Sequence, residues 1–233
     1  MSVILVFILV VAGFSLWWLS QQGLMSKPWL EVGPDPVSGP RKGGMPTEKI
    51  ALGIFLAVVG ALFALFASAY FMRMEFVDWR PMPVPRIVWL NTGMLVLASV
   101  ALQCARSAVR QGDADTVRLS LATAAVATVG FLGGQLTAWR ELAASGYFLT
   151  SNPANSFFYL LTALHGLHIL GGLVALARTA PAAWGAGPQQ TLALRIELCT
   201  TYWHFLLLVW LGLLVLLMGW ASDFVNICGQ LLS

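Results

Sequence analysis

The sequence predicts an all-α fold: a polytopic membrane helix bundle of six transmembrane helices with both termini on the outer side. Three observations lead there. Of 233 residues, 58% are hydrophobic and only 10% charged, whereas a soluble domain carries about 25% charged residues. Six apolar runs reach the roughly 17 to 20 residues that a helix needs to cross a hydrocarbon core of about 30 Å. Basic residues gather in alternate gaps between those runs, the pattern that orients a membrane protein. The scarcity of charge excludes an ordinary cytosolic enzyme, a disordered tail and a nucleic-acid binder.

The first run, Val3 to Leu19, has a rival reading as a cleaved signal peptide. No Lys or Arg precedes it, and Trp17-Trp18-Leu19-Ser20-Gln21 offers no small-x-small cleavage site, so a retained helix is expected. The loop from Ser20 to Lys49 contains Gly33-Pro34, Gly39-Pro40 and Gly43-Gly44 and should be irregular. Residues 1–49 thus form an N-terminal transmembrane helix plus a cytoplasmic Gly/Pro-rich loop, and residues 50–233 a five-helix core.

Ile50 to Met72 is the second run, followed by Pro81, Pro83 and Pro85, which make a stiff, extended connector. Ile87 to Cys104, Leu119 to Trp139 and Phe157 to Ala177 are the next three. The last, Thr201 to Ala221, is expected to begin earlier, near Arg195. Gly133-Gly134 and Gly171-Gly172 fall within runs, where small residues let neighbouring backbones approach.

Orientation follows from the basic residues. Lys27, Arg41, Lys42, Lys49, Arg106, Arg110, Arg118, Arg178 and Arg195 lie in one set of gaps and outnumber Arg73, Arg80, Arg86 and Arg140 in the other. The richer set belongs in the cytoplasm. The net charge of +3 is spread through these gaps, which suits orientation better than binding of a polyanion. Cys104, Cys199 and Cys228 are too few and too scattered for a disulfide framework or a zinc site.

Ionisable groups inside a membrane are costly, so they are functional candidates. Four stand out: His165, His168, Glu197 and His204, which include every histidine in the chain. His165 and His168 share one helical face, and Glu197, Thr201 and His204 form a stripe on the next helix. Depth estimates from a rise of about 1.5 Å per residue put His168 and His204 at similar levels. An approach of these two histidines with Glu197 nearby is therefore expected. Such a cluster could handle protons or ligate haem; the plainer reading, with more weight, is hydrogen bonding that fixes helix packing. Asn91 and Gln135 both fall near the outer face, where they can meet each other.

Two longer patterns point further. The run from Ser156 to Gly172, SFFYLLTALHGLHILGG, strongly resembles the paired-phenylalanine, HG-x-H segment of subunit III of haem-copper oxidases. Glu197, followed by Tyr202-Trp203-His204-Phe205 and Val209-Trp210, is similar to a second motif of that family. Phe131 to Leu142, with Gln135 and Trp139-Arg140, resembles the helix preceding the first motif, and the likeness covers about residues 50 to 222. Family members have seven helices or five; a chain with six resembles the long form lacking its first helix. Ala61 stands where the family carries a carboxylate on its third helix.

The resemblance implies a non-catalytic accessory subunit of a proton-pumping cytochrome c oxidase, a terminal oxidase that reduces oxygen to water. It would be a multi-pass protein of the bacterial cytoplasmic (inner) membrane with periplasmic termini. It would stabilise the catalytic subunit, bind phospholipid, and support proton uptake and oxygen access. No catalytic, cofactor-binding or metal residue is expected in this chain; haems and copper would sit in its partners. Those partners are subunit I in direct contact, subunit II in the same complex, membrane lipids, and a small subunit supplying the missing helix, with no nucleic acid. Trp17, Trp18 and Trp203 are candidate lipid or interface contacts. Alternatives are a subunit III-like partner of a quinol oxidase or nitric oxide reductase, and a stand-alone membrane cytochrome using His165 or His168 with His204.

Overall fold

The computed structural model describes residues 46–80, 82–185 and 189–219, all within one compact unit, Met45–Ser233. They form five helices: α1 Thr47–Met74, α2 Ile87–Gln111, α3 Ala114–Ala144, α4 Pro153–Trp184 and α5 Gln189–Leu217. Each is long and apolar enough to cross a membrane, and the described residues contain no strand. These are the second to sixth apolar runs. The first run, with Trp17 and Trp18, lies outside the described residues.

The helices extend beyond the apolar runs at most of their ends, because local capping continues them into polar sequence. Gly112 adopts a left-handed φ of 77°, a conformation that costs a residue with a Cβ. There the Asp113 N–H donates back to the Ala108 carbonyl and closes α2. Asp113 then caps α3, its carboxylate accepting from the Thr116 N–H at 3.1 Å. The Thr116 hydroxyl and N–H hold the Asp113 carboxyl below its ordinary value. Asn152 caps α4 ahead of Pro153 by accepting from the Ala154 N–H at 3.3 Å. Its amide also grips the backbone of Arg80, donating to the carbonyl and accepting from the N–H. One side chain thus starts a helix and pins the connector between α1 and α2.

Packing is densest between α2 and α3, where small residues face each other. Ala98, Ala101 and Ala105 on α2, and Ala124 and Ala127 on α3, are buried, so the two backbones approach closely. The main core adds Ile169 of α4 and Ile196, Trp203, Leu206 and Trp210 of α5. α1 is peripheral, burying only Val59, Phe63 and Tyr70, which join Leu161, Leu213 and Leu216 in a second, smaller cluster.

The two glycine pairs divide in an instructive way. A Cβ on Gly134 would fall 1.9 Å from Asn91 Oδ1, and one on Gly172 would fall 2.7 Å from Tyr202 and 3.0 Å from Trp203. A Cβ on Gly133 or Gly171 would meet nothing within 4 Å. Close packing therefore requires only the second glycine of each pair.

Candidate functional site

Polar side chains of α5 meet those of α2 along one antiparallel seam. The Trp210 indole N–H donates to the Thr92 hydroxyl at 2.9 Å. Ser99 Oγ bonds His204 Nδ1 at 3.0 Å, and the Thr200 hydroxyl donates to the Leu102 carbonyl at 3.2 Å. Arg106 Nη2 donates to Glu197 Oε1 at 2.9 Å, and Gln189 Nε2 to the Val109 carbonyl at 2.9 Å. Thr92, Ser99 and Arg106 recur every seven residues, about two turns, so they share a face of α2. Numbers rise along α2 as they fall along α5, which makes these bonds the rungs of a ladder.

At the inner end of the ladder, by the charge reading above, Glu197 also receives Lys49 Nζ of α1 at 2.9 Å. One carboxylate thus joins three helices. Lys49 belongs to the first turn of α1 rather than to the preceding loop. Arg110 lines the same cavity, which has a volume of about 240 Å³ and an apolar wall including Val109, Ala193 and Leu194. Three cations there face a single carboxylate.

His165 and His168 lie elsewhere. His165 is fully buried, its ring 5.1 Å from Trp210, 5.6 Å from Phe131 and 6.4 Å from Phe63. Its Nε2 lies 3.1 Å from the Leu206 carbonyl; a carbonyl only accepts, so Nε2 carries the proton. His168 is half-buried and donates through Nδ1 to the Leu164 carbonyl of its own helix at 2.8 Å. Phe63 also packs on its ring at 5.6 Å, so this one α1 phenylalanine touches both imidazoles.

His168 and His204, expected to approach each other, share no hydrogen bond: His204 bonds Ser99 of α2 and His168 the Leu164 carbonyl of its own helix. The reason is rotational. Positions 202 and 206 face α4, where Tyr202 donates to the His168 carbonyl and the Leu206 carbonyl takes His165. A step of two residues turns a helix by about 200°, so His204 points to α2 instead. Asn91 and Gln135 do meet, the Asn91 amide donating to Gln135 Oε1 at 3.3 Å.

Trp203 is another correction. Expected at a lipid or interface contact, it is fully buried. It belongs to a set of three indoles, each answered by a threonine across a helix contact: Trp139 by Thr162 at 3.1 Å, Trp203 by Thr128 at 3.2 Å and Trp210 by Thr92 at 2.9 Å. Each threonine passes its own proton to the carbonyl four residues earlier. The packing roles of Ser99, Arg106, Thr128 and Thr162 went unrecognised in the sequence, although the seven-residue spacing of Thr92, Ser99 and Arg106 matches that of Glu197 and His204.

Among the described residues, no group of three or more His, Cys, Asp or Glu stands together that could hold a metal ion. The polar contacts described above bind helix to helix. The family model for cytochrome c oxidase subunit III matches residues 49–222. The chain belongs to that family. Subunit 3 of a Synechocystis species is 28% identical over 169 residues, covering 70% of this chain and 71% of its own length. A probable cytochrome c oxidase subunit 3 from Nocardia farcinica is 32% identical over 143 residues, 58% of this chain and 68% of its own. The match extends to an animal protein, subunit 3 of Branchiostoma lanceolatum, 28% identical over 196 residues, 80% of this chain and 71% of its own. The subunit III family supplies an oxidase of the respiratory chain with a multi-pass membrane subunit that in general lacks redox cofactors. Both histidine motifs lie inside the matched region, and in this member all three imidazoles are hydrogen-bonded within the helix bundle.

Proposed function

We propose that this chain is a non-catalytic accessory subunit of a proton-pumping terminal oxidase, seated directly against subunit I with subunit II in the same complex. The observation that carries this reading is the use of the family motifs as packing contacts. His165 and His204 each bond across to another helix, and Glu197 is held by Lys49 and Arg106. Haems and copper then belong to the partners, and this chain stabilises the catalytic subunit. Its role includes binding phospholipid and supporting proton uptake and oxygen access. Six spans with both termini on the periplasmic side of a bacterial inner membrane agree with the charge pattern.

A tag on this chain, purification in mild detergent and mass spectrometry of the co-purified subunits test the proposal. Recovery of haem-copper subunits, with oxygen uptake driven by reduced cytochrome c, is the expected result. Uptake driven by quinol alone would transfer the chain to a quinol oxidase, and a chain recovered alone would refute the proposal.

A further inference from the structure

Most of the bundle's exposed surface is what hydrocarbon requires. Leu119, Val126 and Val129 on α3, and Leu167, Leu170 and Val174 on α4, face outward. The outer edge of the α2–α5 seam is different. Gln103 and His204 are exposed well inside their helices, and among the described residues they are the only exposed amide and imidazole so placed. His204 uses Nδ1 for Ser99 and has no partner at Nε2, and the Gln103 amide has none among the described residues. Hydrogen-bonding groups left bare within a membrane span are costly, so they are normally covered by protein or by a water-filled cavity. Farther along the same edge, Lys49, Arg106 and Arg110 surround Glu197 with an excess of positive charge.

We propose that this edge is the face on which the haem-bearing catalytic subunit docks. A membrane-spanning helix of that subunit would place hydrogen-bonding groups opposite Gln103 and His204 and an acidic side chain opposite Arg106 and Arg110. The inference rests on the accessory-subunit reading above and adds to it the docking face and the chemistry of the partner. Charge complementarity selects the acid. An anionic lipid headgroup could neutralise the inner cavity, but its acyl chains offer nothing to Gln103 or His204. A protein helix answers both ends of the edge.

The test places a photo-reactive phenylalanine analogue at Gln103 or Thr201, and at Val126 or Val174 as controls, in the full complex in native membranes. Adducts with the haem-bearing subunit from positions 103 and 201, and none from 126 and 174, are expected. Adducts only with lipid or within the chain at 103 and 201, or adducts with that subunit from 126 or 174, would overturn the docking face. Failure of the chain to co-purify with any haem-bearing subunit is a separate result, and it overturns the accessory reading together with the face. The charged end has its own readout: Arg110→Glu should lower haem recovered per chain by about threefold or more, with Arg178→Glu as a control that leaves it unchanged. An unaltered ratio in Arg110→Glu would overturn the acidic partner.

Discussion

Gly171 and Gly172 are adjacent in one helix, yet alanine should act on them with opposite sign. At Gly172 the new methyl would lie 2.7 Å from Tyr202 Cε1 and 3.0 to 3.1 Å from the Trp203 ring. Neither neighbour is free to yield. The Tyr202 hydroxyl is bonded to the His168 carbonyl at 2.8 Å and the Trp203 indole to Thr128 at 3.2 Å. Overpacking of this kind costs about 1 to 3 kcal/mol, and displacing the two hydrogen bonds adds roughly 0.6 kcal/mol each. Alanine's helix preference over glycine offsets about 0.5 to 1 kcal/mol. Gly172→Ala should therefore destabilise the bundle by about 1 to 4 kcal/mol. At Gly171 the methyl meets nothing within 4 Å, so only the helix preference remains and the variant should be neutral or slightly more stable. Unfolding by SDS titration in mixed micelles, followed by circular dichroism, measures both. Equal effects at the two positions would refute the α4–α5 contact geometry on which the reasoning stands.

Thr128→Val keeps the shape of the side chain but leaves the buried Trp203 N–H without an acceptor, which should cost about 1 to 3 kcal/mol in the same titration. A double-mutant cycle of Asn91→Leu and Gln135→Leu should show a coupling of about 0.6 kcal/mol, and not above about 1.7. Asn152→Ala removes both the α4 cap and the clamp on Arg80, with an expected loss of about 0.5 to 2 kcal/mol and faster proteolysis in the connector before α2. The Asp113 carboxyl is held below its ordinary 3.8 by Thr116; its contribution is present above that value and disappears as pH falls through the lower folded value. Hydrogen exchange at the Thr116 amide should rise across that acidic window, and Asp113→Asn should abolish the dependence.

Much of this architecture could be read before any coordinates. Lipid allows few solutions for the backbone, so apolar runs of sufficient length located α1 to α5, within four residues at half of their ends and farther off at the rest. The boundaries moved outward where Asp113 and Asn152 cap helices beyond the apolar stretch, since a cap depends on a hydrogen bond and not on hydropathy. The Asn91–Gln135 pair was legible because one depth estimate placed both residues near the same face. The histidines were not. Their depths matched, but depth carries no information about azimuth, and the polar stripe of α5 serves α2, a neighbour distant in sequence, rather than α4. Trp203 was misread for a related reason: an indole suits a membrane interface, but its one donor suits a buried threonine equally well.

The central claim is that the imidazoles of this chain hold helices and bind no haem. Its most direct test is a reduced-minus-oxidised spectrum of the complex purified through a tag on this chain, repeated on the chain after stronger detergent has separated it from its partners. Oxidase haem bands in the complex and a colourless isolated chain that retains its helical circular dichroism are the expected result. A Soret band that follows the isolated chain, and disappears in His165→Leu or His204→Leu, would contradict it.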